Sequence, residues 1–393
     1  MINLIRFEFK KCFVRRSLVI IIIVFMIVNV YKINTIFKDK GLFSKNGILQ
    51  YKDVYIELFE DFGGEITEEK IEKLMRIYNN IKEKIADRTY STGYDEKSYT
   101  YNPYNDEIFI RWLFVDELEY DYFYKKYANN ISKNAYDNMQ LYENLNNKYK
   151  CRENYIIANL FYNREITNFN YTEKYLYYLQ YDFSTLLIFL ICIYAISRVF
   201  VLEKEVEMDF LLITTKMGKK TIKAKIIASF LFIIMLTLLF GLLDYISFSV
   251  CFKSFGSNDS PLYSLANFKN TRLNMGLLEF SIISLIIKTF GILIVCTCFL
   301  LYSCLFSKVI YSYIASFITT YILFQNPISL LVNRELYKET SFVNVLNFPI
   351  YKDAFALVVG FACMILLLLL IYSIAIKNKL LKRSRRRGKY ASR

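Results

Sequence analysis

The chain has 393 residues, of which 55% are apolar and 22% charged, with a formal net charge of +14 and no histidine. That excludes an imidazole base and a histidine-ligated metal. With 12 glycines and 4 prolines it also excludes a Gly-rich nucleotide-binding architecture and a disordered linker protein. The length would allow two or three soluble domains, but the apolar residues gather into runs too long and too poor in charge for ordinary core helices.

In residues 1–16, Ile2, Ile5, Phe9 and Phe13 recur at helical spacing, with Arg6, Lys10 and Arg16 elsewhere. This predicts an amphipathic helix lying in the membrane interface; a plain basic flank is the alternative. Six spans follow, at residues 17–36, 183–202, 226–252, 280–305, 309–332 and 354–376. The run 309–332 has 24 residues without a charge. As a helix it would reach about 36 Å, against a hydrocarbon core of about 30 Å. Backbone amides in lipid must be paired within the segment, so an open chain crosses as a helix. The expected fold class is therefore an all-α polytopic membrane protein. The first run has the basic lead of a signal peptide but no small-residue cleavage site after it, and reads as a retained span.

Lysine and arginine set the orientation. With six spans both termini share a side, together with 203–225 and 306–308. Those segments (1–16, 203–225, 306–308 and 377–393) carry 21 basic and 5 acidic residues, whereas 34–182 carries 20 basic and 25 acidic. Both ends are thus expected in the cytoplasm, at the plasma membrane, with 34–182 outside. The tail 377–393 has nine cations and no acid. It reads as an anchor on anionic lipid rather than a nucleic-acid segment, since no folded reader accompanies it.

The extracytoplasmic segment is long enough for its own core. Ile71, Leu74, Met75, Tyr78, Ile81 and Ile85 share one face of a helix over 67–88, and 106–128 and 131–150 are patterned alike. Residues 153–180 read as a helix running straight into the second span. Strand-like alternation is scarce, so the domain is expected to be mainly helical. It holds 22 of the 34 tyrosines, either as an aromatic ligand-binding surface or as ordinary packing.

Residues 203–225 form the one sizeable cytoplasmic loop. Acids open it and lysines close it, a polarity that the helix macrodipole favours. Val206, Phe210, Leu211 and Ile213 give it an apolar side that needs a protein groove or the membrane surface. Pro327 stops or kinks the fifth span. Beyond it, 328–352 reads as a re-entrant hairpin or an outside loop.

This layout resembles the permease subunits of ATP-binding-cassette exporters of the type-2 permease family, with the type V exporter fold. The likeness rests on the interfacial helix, the six spans, the short helical loop and the stretch 328–352. The family's acidic opening is matched by Glu203, Glu205 and Glu207. Its LL-x-T segment is matched by Leu211, Leu212, Thr214 and Thr215, and its closing basics by Lys219, Lys220 and Lys225. Met208-Asp209 stands where the family has a glycine, and Lys216 where it has a proline.

The resemblance implies a coupling helix within 203–221, with Phe210 among its contacts, seated on a cytoplasmic ABC ATPase dimer that binds ATP and Mg. It also implies a second permease chain, identical or homologous, and export of a hydrophobic or amphipathic peptide, lipid or drug by alternating access. The chain itself is expected to be no enzyme and to hold no cofactor or metal. Gly218-Lys219-Lys220-Thr221 is similar to the end of a P-loop, but Ile213 replaces its first glycine and Lys220 its Ser/Thr. The alternative is a MacB/FtsX-like mechanotransmission protein, a family with four spans in each core unit.

Asp244 and Lys288 fall within the third and fourth spans. An isolated charge there costs on the order of 3 kcal/mol. Lys288 is therefore expected to pair with Asp244, or with Glu279 nearer the rim, either structurally or as the lining of an outward cavity.

Overall fold

The computed structural model describes residues 1–40, 52–86, 103–206, 218–252, 257–271, 273–325, 361–362 and 364–374. Glu207, Phe210, Leu211, Leu212, Thr214 and Thr215, the side chain of Lys219, the stretch 328–352 and the tail 377–393 lie outside the described residues. The protein is all-α apart from one pair of two-residue strands among the described residues. It divides into two compact units. The first gathers Met1–Ile33, Tyr177–Val250 and Ser281–Arg393; the second gathers Asn34–Leu176 and Cys251–Phe280.

Four helical stretches among the described residues are long and apolar enough to cross a membrane: Arg16–Asp39, Glu173–Glu205, Lys220–Phe252 and Leu277–Leu305. Two shorter apolar helices, Val309–Ile322 and Met364–Ile374, accompany them.

In the first unit, helix α1 (Ile2–Phe13) is amphipathic, and Ile5, Phe9 and Phe13 of the expected face pack against the apolar core. Ile2 is exposed, while Glu8, Cys12 and Phe13 are buried. Phe13 stacks on Phe232 with ring centroids 4.4 Å apart. The next helix, α2 (Arg16–Lys40), turns Leu18, Asn29 and Ile33 inward and Val19, Ile20, Ile23, Val24 and Ile27 outward. Only 11% of its apolar window is buried, against 72% for the second stretch, so the second stretch is the enclosed one.

That second stretch is not the single helix expected over 183–202. It runs as one helix over Phe183–Ile196, turns at 197–200, and resumes over Val201–Glu205. The third begins earlier than expected, at Gly218, so Lys219 and Lys220 sit in the first turn of a helix, Gly218–Phe252.

In the second unit, α3 (Lys52–Phe62), α4 (Glu68–Ala86) and α5 (Pro103–Ile110) pack around Tyr55, Leu58, Phe62, Leu74, Tyr78, Ile81 and Phe114. Leu74, Tyr78 and Ile81 fall on the face the spacing predicts, but Met75 is exposed. A π-turn at Arg111–Val115 leads into α6 (Asp116–Asn144), which runs unbroken through the boundary expected near residue 130. The chain reverses instead where Asn146 takes a positive φ of 57° and the Asn147 side chain accepts from the Lys150 amide to start α7 (Lys148–Phe161).

The helix expected over 153–180 is interrupted. Asn163 has positive φ, and β2 (Asn168–Phe169) pairs antiparallel with β1 (Gly64–Glu65), before helix α8 (Glu173–Leu179). Gly64 has a φ of +77°, a conformation a side chain would strain.

The unit also takes in Cys251–Phe280, which the sequence placed in a span connection. A row of tyrosines on α6 holds this segment. Tyr120 donates to the Tyr263 carbonyl at 2.8 Å, Tyr124 to the Lys269 carbonyl at 3.0 Å, and Tyr127 to Asn270 Oδ1 at 2.5 Å. The ring of Tyr124 stacks on Tyr263 at 4.8 Å. Arg164, buried, donates to the Thr271 carbonyl at 2.7 Å and lies over the rings of Phe161 and Tyr263. These tyrosines serve internal packing.

Asp121 is 6% exposed on α6, and burial, with Glu117 nearby, pushes its carboxyl up to about 8. The unfolded chain ionises near 3.8 and the folded one near 8. The folded state is therefore favoured most below the lower value, and that advantage drains away as pH rises to the upper one. Asp121→Asn is expected to flatten the fall in unfolding temperature between those limits. At the alkaline end it should stabilise the chain by about 2 kcal/mol, read by thermal unfolding in lipid nanodiscs.

Candidate functional site

The first unit holds two polar constructions among its apolar helices. The first surrounds the turn at 197–200. Breaking a helix frees backbone groups, and in apolar surroundings each must find a partner. Ser303, on the helix Leu277–Leu305, accepts from the Phe200 amide at 2.9 Å and lies 3.4 Å from the Val201 amide. Ser312 donates to the Ser197 carbonyl at 2.8 Å, and Ser316 shares a hydrogen bond with the Ser197 hydroxyl at 2.7 Å. Tyr313 donates to the Tyr194 carbonyl at 3.3 Å. The last three residues come from one helix, Val309–Gln325. Lys225, 2% exposed, donates to the Val199 carbonyl at 3.1 Å.

Immediately after the turn, three consecutive side chains tie helix ends together. Glu203 lies 2.5 Å from Lys225 and 2.7 Å from Lys11 on α1. Lys204 donates to the carbonyls of Cys304 and Phe306, at the C-terminal end of Leu277–Leu305. Glu205 accepts from the Val309 amide at 2.7 Å, at the start of the next helix. A cation on terminal carbonyls and an anion on a leading amide both follow the macrodipole. Glu8, buried beside this group, has its carboxyl raised by burial, against the pull of Lys225 and Lys11.

The second construction is a chain of side chains from four helices. Tyr181 donates to Asn29 Oδ1 at 2.7 Å, and Asn29 donates to Asp244 Oδ1 at 2.5 Å. Lys288 donates to Ser184 Oγ at 3.1 Å, and the Ser184 hydroxyl faces the Asp244 carboxylate. Asn29, Ser184 and Asp244 are all buried. Lys288 thus reaches Asp244 through Ser184 rather than by direct contact, which the expected pair did not include. Glu279 takes no part; it accepts from the Gly276 amide at 3.1 Å and caps its own helix.

Of the residues expected to touch an ATPase, Glu203 and Glu205 are bonded within the chain, and Lys220 is exposed on the first turn of its helix. Sequence reasoning missed Lys204, Ser303, Ser312, Ser316, Asn29 and Ser184. Serines within apolar runs were the signal available. Comparisons with protein-family models, curated proteins and solved structures give no match.

Ser303→Ala leaves the Phe200 and Val201 amides without their acceptor and is expected to cost about 2 kcal/mol in thermal unfolding. Glu203→Gln strands the buried Lys225 ammonium and is expected to cost about 3–5 kcal/mol. Adding Lys225→Met to it should recover most of that loss, a coupling that a double-mutant cycle measures.

Proposed function

We propose that this chain is the transmembrane permease subunit of an ATP-driven ABC exporter. In this reading it has six spans, with Val309–Ile322 and Met364–Ile374 belonging to the last two. Both termini and the loop 203–225 are cytoplasmic, and the second unit is outside, as the distribution of lysine and arginine favours. The cargo is hydrophobic or amphipathic. A second permease chain completes the path, and a separate ATPase dimer supplies ATP and Mg.

One observation carries the reading: the anchoring of Glu203-Lys204-Glu205. The loop that follows is rooted where α1, the helix starting at Gly218 and both sides of the 305–309 connection meet. A force applied to it pulls on all of these at once, and the turn at 197–200 gives Val201–Glu205 a pivot. Glu203 and Glu205 transmit the motion, while Phe210, Leu211, Leu212, Thr214 and Thr215 seat on the ATPase.

A mechanotransmission protein is the second reading, to which the four long apolar helices among the described residues correspond. The two part on membrane crossings, six in the permease reading and four in the second. Chain purified from native membranes should bring an ABC ATPase with it, and Leu211→Asp with Leu212→Asp should release that partner without lowering the unfolding temperature. A single cysteine at Lys338 should react with an impermeant reagent added outside. Absence of the ATPase, together with no labelling at 338, overturns the permease reading.

A further inference from the structure

The polar chain around Asp244 has an uneven charge balance. Asp182 lies at the start of the helix Phe183–Ile196, yet its side chain makes no cap hydrogen bond there. Its Oδ2 atom is buried with no hydrogen-bond partner among the described residues. Lys288 acts electrostatically on both Asp182 and Asp244. Tyr178 and Tyr181 lie on the stretch that carries Asp182, Tyr245 beside Asp244, and Asn29 on α2. None of these is a cation, so among the described residues two carboxylates have one ammonium between them. Hydrogen bonds aimed at Asp244 come from Asn29 and from the side of Ser184, which itself accepts from Lys288. Asp244 is therefore arranged as a pure acceptor, the role of an ionised carboxylate. Asp182 has the unmatched oxygen. Two further buried hydroxyls, Thr185 and, one turn before Lys288, Ser284, also have no partner among the described residues.

We propose that Asp182, Ser184, Asp244 and Lys288 form a proton-binding site in which one dissociable proton resides on Asp182. With both acids ionised the group would carry one net negative charge beside the buried Asp244 and the half-buried Asp182, which is disfavoured. Adding H⁺ to the Asp182 carboxylate makes a neutral carboxylic acid, leaves Lys288 to balance Asp244, and gives the buried oxygen a hydrogen to donate. The proposal does not depend on what drives the helices, and a transporter or a signalling protein could equally carry this proton.

Infrared difference spectroscopy on the full chain in lipid nanodiscs tests it. The spectrum of the wild-type protein minus that of Asp182→Asn should contain the carbonyl band of one protonated, buried carboxyl per chain. Its amplitude should fall at alkaline pH as the proton leaves. Taking the difference against this variant cancels Asp121 and Glu8. Lys288→Met should add a second protonated carboxyl, because Asp244 loses its balancing charge. If that variant fails to fold, the wild-type difference still decides. No protonated band at any pH in the difference spectrum overturns the site. So does a band that Asp244→Asn removes and Asp182→Asn leaves. If the band is missing and thermal stability instead rises with sodium at constant ionic strength, the balancing charge is a metal cation and the proton is excluded.

Discussion

A helix interrupted among apolar helices must have its freed backbone groups bonded by its neighbours, and the organisation of the first unit follows from that requirement. The turn at 197–200 frees carbonyls and amides at a place where few backbone partners exist. Ser303, Ser312, Tyr313 and Lys225 supply the missing bonds. The helices that carry these side chains are thereby held in register with the enclosed second stretch. Dispersion among Ile188, Phe232, Ile292 and Phe299 holds the helices together without selecting a register. The directional bonds at the turn select it.

Electrostatics then ties the same end. Glu203 sits between two lysines, Lys204 meets carbonyls, and Glu205 meets an amide. Each charge has a partner of complementary polarity, a carboxylate, a carbonyl or an amide, so none of the ions is left without a partner. This also explains how Lys225 can be almost fully buried. Its ammonium has a carboxylate, a carbonyl and the face of the Phe200 ring, 5.4 Å away.

Much of the first unit was legible because hydropathy needs only composition over a window. The four long apolar stretches coincide with predicted spans to within a few residues at most ends. The break at 197–200 was not legible. Ser197-Arg198-Val199-Phe200 contains neither proline nor glycine, and Ser303 and Ser312, which bond it, lie more than a hundred positions away. The polar chain was half legible. Asp244 and Lys288 stand out in apolar runs, but Asn29 and Ser184 carry no charge and look incidental until the helices bring them together. In the second unit, face spacing found α4, while the α6–α7 reversal rests on asparagine turn chemistry at Asn146 and Asn147 that a periodicity reading passes over.

The second unit is assembled from two pieces of chain separated by some seventy residues that belong to the first. Its tyrosine row stays unsatisfied until residues 257–271 arrive, so it cannot mature as its first piece leaves the ribosome. Synthesis must proceed through the third apolar stretch before the docking segment exists. Excising residues 34–176 for separate expression would remove the segment that covers Tyr120, Tyr124 and Tyr127 and expose them to solvent. A soluble version of this unit would have to restore the missing piece by circular permutation or by a fused linker.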